Sequence, residues 1–243
     1  MNQKIKTMRI LAVICARGGS KSIPQKNIVK LLGKPLIYYT IKTAKKFKLF
    51  DNIVVSTDDN KIASIAEKFM VDVIFRPPEL ASDSAGKIDV LRHALHECEQ
   101  LYRKHFDIIV DLDVTAPIRT IRDIQNAMDE FLKKKPDVLF SVVRSRKNPY
   151  FNVVEEQSNG FVKLSKRSKE LYLRRQDAPK VYDMNTSIYL FNREFLLNPK
   201  NISVFSTKKT AAFIMKDVSA IDVDSLLDLK YIEYLAKKGV VKL

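Results

Sequence analysis

Cysteine is nearly absent: Cys15 and Cys98 are the only two in 243 residues. That excludes a disulfide framework and fits a reducing compartment. Cys15 sits in an apolar run and reads as a small core residue. No apolar run reaches the length of a transmembrane helix. The N-terminus, Met1-Asn2-Gln3-Lys4, leads only to a short apolar stretch and does not read as a signal peptide. Internal repeats and low-complexity tracts are missing, which argues against long disorder. Some chemistry is missing too. No Ser/His/Asp or Cys/His constellation offers a covalent nucleophile. His93 and His96 share a helix face, but third and fourth zinc ligands are lacking. Helix-turn-helix, zinc-finger and RNP patterns are absent, as is a strongly basic tail. The resulting expectation is a cytoplasmic protein that engages neither membranes nor nucleic acid.

Positive charge is in excess. Lys plus Arg is 43 against 28 for Asp plus Glu, a net charge of +15. Such a balance favours anionic partners, among them nucleotides and sugar acids. Lys42, Lys45, Lys46 and Lys48, and Lys133 to Lys135, fall in helix-like stretches and read as solvated faces.

Apolar runs alternate with helical periodicity. Strands are predicted at 9–15, 52–56, 71–75, 107–112 and 137–143, with helices at 35–47, 59–69, 87–102 and 121–134. Pro35 suits a first helical position, and Asp58 or Asp59 suits a cap. This alternation predicts a mostly parallel sheet with helices on both faces, a Rossmann-like α/β fold. After about Ser145 the pattern changes. Asn159-Gly160 predicts a hairpin turn between strands at 151–154 and 161–164. Residues 145–183 read as a β-rich arm inserted in a single domain spanning 1–243. The sheet resumes at 187–191 and 211–215, and a helix over 225–237 closes the chain.

Ligands in such sheets sit beyond the carboxyl ends of the strands. The first strand runs directly into Ala16-Arg17-Gly18-Gly19-Ser20-Lys21-Ser22-Ile23-Pro24-Gln25-Lys26-Asn27. Glycines let backbone amides approach an anion, and Arg17, Lys21 and Lys26 supply charge. The spacing is neither a Walker A loop nor the Gly-x-Gly-x-x-Gly fingerprint, so other nucleotide chemistry is expected. Ser56-Thr57-Asp58 and Asp111-Leu112-Asp113 fall at further strand ends. Asp222 and Asp224, one residue apart on an extended segment, point the same way and suit a hard cation such as Mg²⁺. The alternative is that Asp224 caps the last helix.

The loop, together with Leu80-Ala81-Ser82-Asp83-Ser84, Thr115-Ala116-Pro117-Ile118-Arg119, Arg174-Arg175-Gln176-Asp177-Ala178-Pro179 and Ile221-Asp222-Val223-Asp224, resembles the cytidylyltransferases that activate nonulosonic acids. That family includes the CMP-sialic, CMP-legionaminic and CMP-pseudaminic acid synthetases. The resemblance covers nearly the whole chain. It implies a Mg²⁺-dependent transfer of CMP from CTP to the anomeric hydroxyl of a sugar acid, with release of pyrophosphate, in a homodimer. It implies phosphate roles for Arg17 and Lys21, with Ser20 and the amides of Ala16 and Gly18 beside them. Asn27 is then placed on the cytidine half, with Arg76, Ser82 and Asp83 completing the nucleotide pocket. Asp222 and Asp224 become the metal carboxylates. Asp113, Tyr182 and one of Arg174 and Arg175 fall to the sugar, the arginine reaching a partner's site from the arm.

Sialic acid enzymes typically carry glutamine where this chain has Asp113. Glutamine donates as well as accepts, whereas an ionised aspartate only accepts. Asp113 therefore suits a hydroxyl or N–H of the sugar rather than its carboxylate. The segments 112–117, 146–152 and 178–185 resemble the CMP-legionaminic acid branch, so legionaminic acid is expected before N-acetylneuraminic acid. A Kdo-type cytidylyltransferase and a basic nucleic-acid-binding module are the alternatives. Because Lys21 lies in a solvent-facing loop, Lys21→Ala is expected to remove most turnover. The circular dichroism spectrum should stay that of the wild type; near-normal turnover would remove Lys21 from the phosphate role.

Overall fold

Ile10–Cys15 (β1) is apolar along its length, and Ile10 to Ile14 are buried, as a strand covered on both faces must be. A computed structural model describes residues 7–168, 170 and 172–243; the N-terminal reading at Met1 to Lys4 lies outside the described residues. After β1 come a small hairpin of Lys30–Leu31 (β2) and Lys34–Pro35 (β3), then Leu36–Lys46 (α1), Asn52–Thr57 (β4), Asn60–Lys68 (α2) and Asp72–Phe75 (β5). Lys87–Tyr102 (α3), Ile108–Leu112 (β6), Ile121–Lys134 (α4) and Val138–Arg144 (β7) follow. The arm carries Val154–Glu156 (β8) and Val162–Leu164 (β9). Tyr182–Asn192 (β10), Arg193–Leu197 (α5), Thr210–Ile214 (β11) and Leu226–Lys237 (α6) complete the chain.

Seven strands form one sheet in the order β11-β7-β10-β6-β1-β4-β5. All neighbours are parallel except β10, which runs antiparallel to both β6 and β7. One face carries the buried side chains of α1, α2, α4 and α6, and the other those of α3 and α5. From β1 the chain crosses to β4 on one side; from β6 it crosses to β7 on the other. The reversal leaves a crevice between the carboxyl ends of β1 and β6, where such sheets bind ligands.

Four of the helices start on side-chain caps, one of them α5, where Asn192 Oδ1 accepts from Phe195 N at 2.7 Å. Asp59 accepts from the amides of Lys61 and Ile62 at the head of α2. Thr120 with Asp123, and Ser225 with Asp228, form reciprocal capping boxes on α4 and α6. Ser225, not Asp224, is thus the cap of the last helix, so Asp224 is not committed to that task. Pro35 occupies the cap position of α1 rather than its first turn.

The arm departs from expectation in register. Its strands are 154–156 and 162–164, and the connection spans five residues. Gln157 O accepts from Gly160 N at 2.9 Å, with Gly160 at φ +79°. The left-handed residue is what glycine supplies at a hairpin corner. Strand β10 begins at Tyr182 instead of 187, because its first residues pair with β7 alone, ahead of a bulge between Met184 and Tyr189. At that bulge Thr186 takes φ +51°.

Among the described residues no helix is long and apolar enough to cross a membrane. Thr120→Ala deletes one capping box and is expected to cost about 1 kcal/mol. For a chain of this size that lowers the melting temperature by roughly 2–4 °C, measurable by scanning calorimetry, with turnover unchanged.

Candidate active site

The loop after β1 is held to the sheet by backbone and side-chain bonds. Ala16 N donates to Ser56 O at 2.9 Å. Gly18 N donates to Asp58 Oδ1 at 2.9 Å, and Asn27 Nδ2 donates back to Arg17 O at 2.9 Å. Gly18 is required by proximity: a Cβ there would lie 2.6 Å from Asp59 Oδ2 and 2.8 Å from Asp59 Cβ. Asp59 cannot retreat without leaving the head of α2. At Gly19 a Cβ would meet nothing within 4 Å.

Beyond the strand ends lies a cavity of about 280 Å³. Arg17, Gly19, Ser20, Lys26 and Asn27 line it from the loop, and Arg76 from the end of β5. Lys87, Asp113 and Thr115 close its opposite side. Four cations thus converge on one small volume, where they reinforce a common positive potential. Arg76 is buried and donates to Ser56 O at 2.6 Å and to Leu80 O at 3.4 Å, and its Nε has no partner. The guanidinium is therefore fixed to the frame with one donor unspent.

Lys21 and Asp83 stand at the rim. Asp83 bridges Arg17 at 2.7 Å and Lys21 at 2.8 Å. These partners, Lys21 first, hold its carboxyl below the usual aspartate value. Ser82 is turned to Glu79 O and Ser84 and does not line the cavity.

Lys87 and Asp111 form the floor. Asp111, in the middle of the sheet, has no exposed surface, and its Oδ2 is 2.5 Å from Lys87 Nζ. Burial opposes the charge on Lys87, but Asp111 and then Asp113 outweigh it and raise its pKa. Asp113 accepts through Oδ1 from Thr115 N and Oγ1, both at 2.9 Å. Beneath it Arg119, also buried, donates to Ser187 O at 2.6 Å and to Asp113 O at 3.2 Å, and lies 3.0 Å from Thr40 Oγ1. Burial lowers the Arg119 pKa to about 10, still charged at neutral pH.

Asp222 is half-buried. Burial, and then Asp224, push its carboxyl above the usual value. Asp224 is exposed and paired with Lys26 at 2.7 Å. Among the described residues no group of three or more His, Cys, Asp and Glu side chains is placed to hold a metal ion. The two aspartates supply the oxygen donors that Mg²⁺ takes, and Mg²⁺ needs only one or two protein carboxylates. Asp224 would have to release Lys26 to take part, and with that exchange the pair fits Mg²⁺.

Arg174, Arg175 and Tyr182 lie apart from this cavity. Arg174 pairs with Asp177 at 2.8 Å. Arg175 and Tyr182 line a second cavity of about 470 Å³, with Arg144, Arg146 and Lys180.

Lys87 was missed by the sequence reading. Two signals pointed to it. Asp111 interrupts the apolar run Ile108-Ile109-Val110, and a buried carboxylate needs a partner. Lys87 opens a helix, where the dipole favours acids.

The sequence matches the family described as Cytidylyltransferase over residues 11–241. It is 48% identical over 230 residues to the post-translational flagellin modification protein B of Campylobacter coli, covering 94% of this chain and 95% of that protein. It is 45% identical over 228 residues to a CMP-N,N'-diacetyllegionaminic acid synthase of Campylobacter jejuni, covering 93% and 94%. An N-acylneuraminate cytidylyltransferase of Streptococcus agalactiae is 31% identical over 93% of this chain, which spans 52% of that protein. Among solved structures, a CMP:2-keto-3-deoxy-manno-octonic acid synthetase complexed with CTP superposes with a TM-score of 0.73 over 95% of this chain and 99% of the other. At 18% identity that likeness concerns the fold.

Gly18→Ala should displace Asp59 from its capping amides and destabilise the protein by about 1–2 kcal/mol, whereas Gly19→Ala should stay within about 0.5 kcal/mol. Denaturant titration of the two variants checks the contrast; equal effects would remove the close-approach argument.

Proposed function

The chain belongs to the cytidylyltransferase family and is a nucleotidyltransferase; from that premise we propose that it makes a CMP-nonulosonic acid, of the legionaminic or sialic type, from CTP. One observation carries this reading: a cation-lined cavity at the strand reversal that has a carboxylate, Asp113, in its far wall. The cations suit a triphosphate, and the carboxylate suits the hydroxyl or N–H donors of a polyhydroxylated acid. The likeness to the Campylobacter jejuni synthase supports the choice of acid.

The reaction is an in-line displacement. The anomeric hydroxyl of the acid attacks the α-phosphorus of CTP, the new P–O bond forms, and the bond to the β-phosphate oxygen breaks to release pyrophosphate. Negative charge grows on the departing pyrophosphate. Arg17 and Lys21 answer it, with Ser20 beside them; the amides of Ala16 and Gly18, expected to join them, are already committed to Ser56 O and Asp58 and instead hold the loop in place. Asn27 and Arg76 serve the nucleotide from the cavity wall and Asp83 orients Arg17 and Lys21 at the rim; Ser82, turned to Glu79 O, takes no part. Much of the acceleration comes from holding the two substrates in line. Asp222 and Asp224 are the carboxylates that would hold Mg²⁺, which supplies charge neutralisation on the phosphates when bound. Asp224 would then exchange Lys26 for the metal.

The arm is read as the dimer contact. Phe161, Val162 and Leu173 are exposed on it, and apolar side chains left open on a projecting hairpin suit burial against a second copy. Arg175, or Arg174 if released from Asp177, is the guanidinium that would reach the partner's sugar acid. The product would serve glycosylation of a surface glycan or a protein. The name of the Campylobacter coli relative, which refers to flagellin, favours a protein.

The reading is tested by pyrophosphate release from CTP and Mg²⁺ with legionaminic, N-acetylneuraminic and pseudaminic acids in parallel. Turnover is expected with legionaminic acid above the others. Silence with all three, in folded protein that binds CTP, would overturn it. Asp222→Asn should move the Mg²⁺ titration of turnover to at least tenfold higher concentration; an unchanged titration would return Asp222 to a structural role.

A further inference from the structure

Lys87 has no part in the reaction scheme above, yet it occupies the floor of the cavity. It is a cation at the first position of α3, against the preference of the helix dipole, so something else must hold it there. Its Nζ is 2.5 Å from Asp111 Oδ2, 3.7 Å from Asp113 Oδ2 and 4.5 Å from the centre of the Tyr189 ring. The side chain is one-third exposed, on the cavity side. Asp111 is inaccessible and its Oδ1 lacks any partner, so Asp111 can anchor Lys87 but cannot meet a substrate. Asp113 is different. It lines the cavity, and Thr115 occupies its Oδ1. Oδ2 is the oxygen left for a ligand, with an ammonium beside it at a distance too long for a full hydrogen bond.

We propose that Lys87 is a specificity-determining positioning residue: anchored by Asp111, it holds Asp113 Oδ2 at the cavity wall as an acceptor for an O–H or N–H donor of the sugar acid. Lys87 and Asp111 cancel each other's charge. One net negative charge remains, on Asp113, and the same ammonium, 3.7 Å from its Oδ2, weakens its field without cancelling it. An anionic sugar can then approach a wall that would otherwise repel it, and it is selected by the donor it offers to Oδ2. Substrates without a donor at that point leave a desolvated carboxylate oxygen unpaired, which is how sites built to receive a hydrogen bond reject analogues that lack it. The inference rests on the nonulosonic acid reading and identifies the side chains that do the selecting.

Removing Lys87 alone would strand the Asp111 charge, so the test removes both charges together. Lys87→Met with Asp111→Asn replaces a buried ion pair by neutral groups of similar shape, a change that folds tolerate. The double variant, Asp113→Asn and the triple combination are compared with wild type for KM of the preferred acid, KM of CTP and kcat. The double variant is expected to raise KM for the acid at least tenfold and leave KM for CTP within twofold. The triple variant should be no worse than Asp113→Asn, because Lys87 acts through Asp113. Unchanged KM for the acid, equal losses for both substrates, or additive losses in the triple variant would overturn the proposal while leaving the nonulosonic acid reading intact. A wild type that turns over none of the acids would overturn that reading, and this inference with it.

Discussion

The constraint on which the site depends is the reversal of winding order beside β1, whose neighbours β4 and β6 both run parallel to it. Strands β1 and β6 lie next to each other and end together, but their connections run towards opposite edges of the sheet. No helix can cover the gap between them. The loop at 16–27 and the loop at 113–119 are therefore forced to face each other across it. Each brings charge to a place where the protein has no side chains of its own to fill the space. The antiparallel β10 completes the arrangement from the other flank. Its Tyr189 meets Asp111 in register and carries the ammonium of Lys87 over its ring.

Loops facing a ligand must be rigid to be selective, and here the rigidity comes from buried polar groups instead of apolar packing. Arg119 ties the carbonyls of Asp113 and Ser187 and the hydroxyl of Thr40 into one node. Arg76 does the same for the carbonyls of Ser56 and Leu80. Removing either guanidinium would strand buried acceptors, at about 1–3 kcal/mol for each group left unpaired. Both arginines leave Nε without a partner. At Arg76 the guanidinium lines the cavity, but its Nε is itself buried and does not face a ligand. Arg119 does not line the cavity, and the structure gives no reason for its unpartnered Nε.

What could be read from the sequence followed from locality. The glycine loop, the strand it follows and the cap at Asp59 depend on residues a few positions apart, so periodicity and turn chemistry expose them; the capping boxes at Thr120 and Ser225 are just as local, but the sequence reading offered Asp224 for the last helix and no cap at Thr120. The parallel sheet followed from alternation. Contacts between distant segments were harder. Lys87 meets Asp111 across 24 positions, and nothing local marks the pair except an acid in an apolar strand and a base at a helix start. The beginning of β10 was missed for a related reason. Tyr182-Asp183-Met184 is exposed and mixed in character, and its strand conformation is imposed by pairing with β7. The arm was legible as a hairpin, but Arg175 turns to Arg146 O across 29 positions, a contact that nothing local marks.

The charge of +15 takes on a specific meaning at the site. Arg17 and Lys21 share Asp83, Lys26 holds Asp224, and Lys87 lies between Asp111 and Asp113. Of the cations that line or rim the cavity, Arg76 alone is held by carbonyls rather than carboxylates. A triphosphate bound here, as the proposed reaction requires, would exchange one anion for another. Asp83 is exposed, and a surface ion pair contributes little because solvent screens it, so giving it up costs little against the multiple charges of a phosphate chain. Asp111 is buried, and the same exchange there would strand a charge inside the sheet. The depth of each carboxylate thus sorts the cations into two kinds. Those at the rim can be released to phosphate, and the one at the floor stays with its acid to shape the wall opposite.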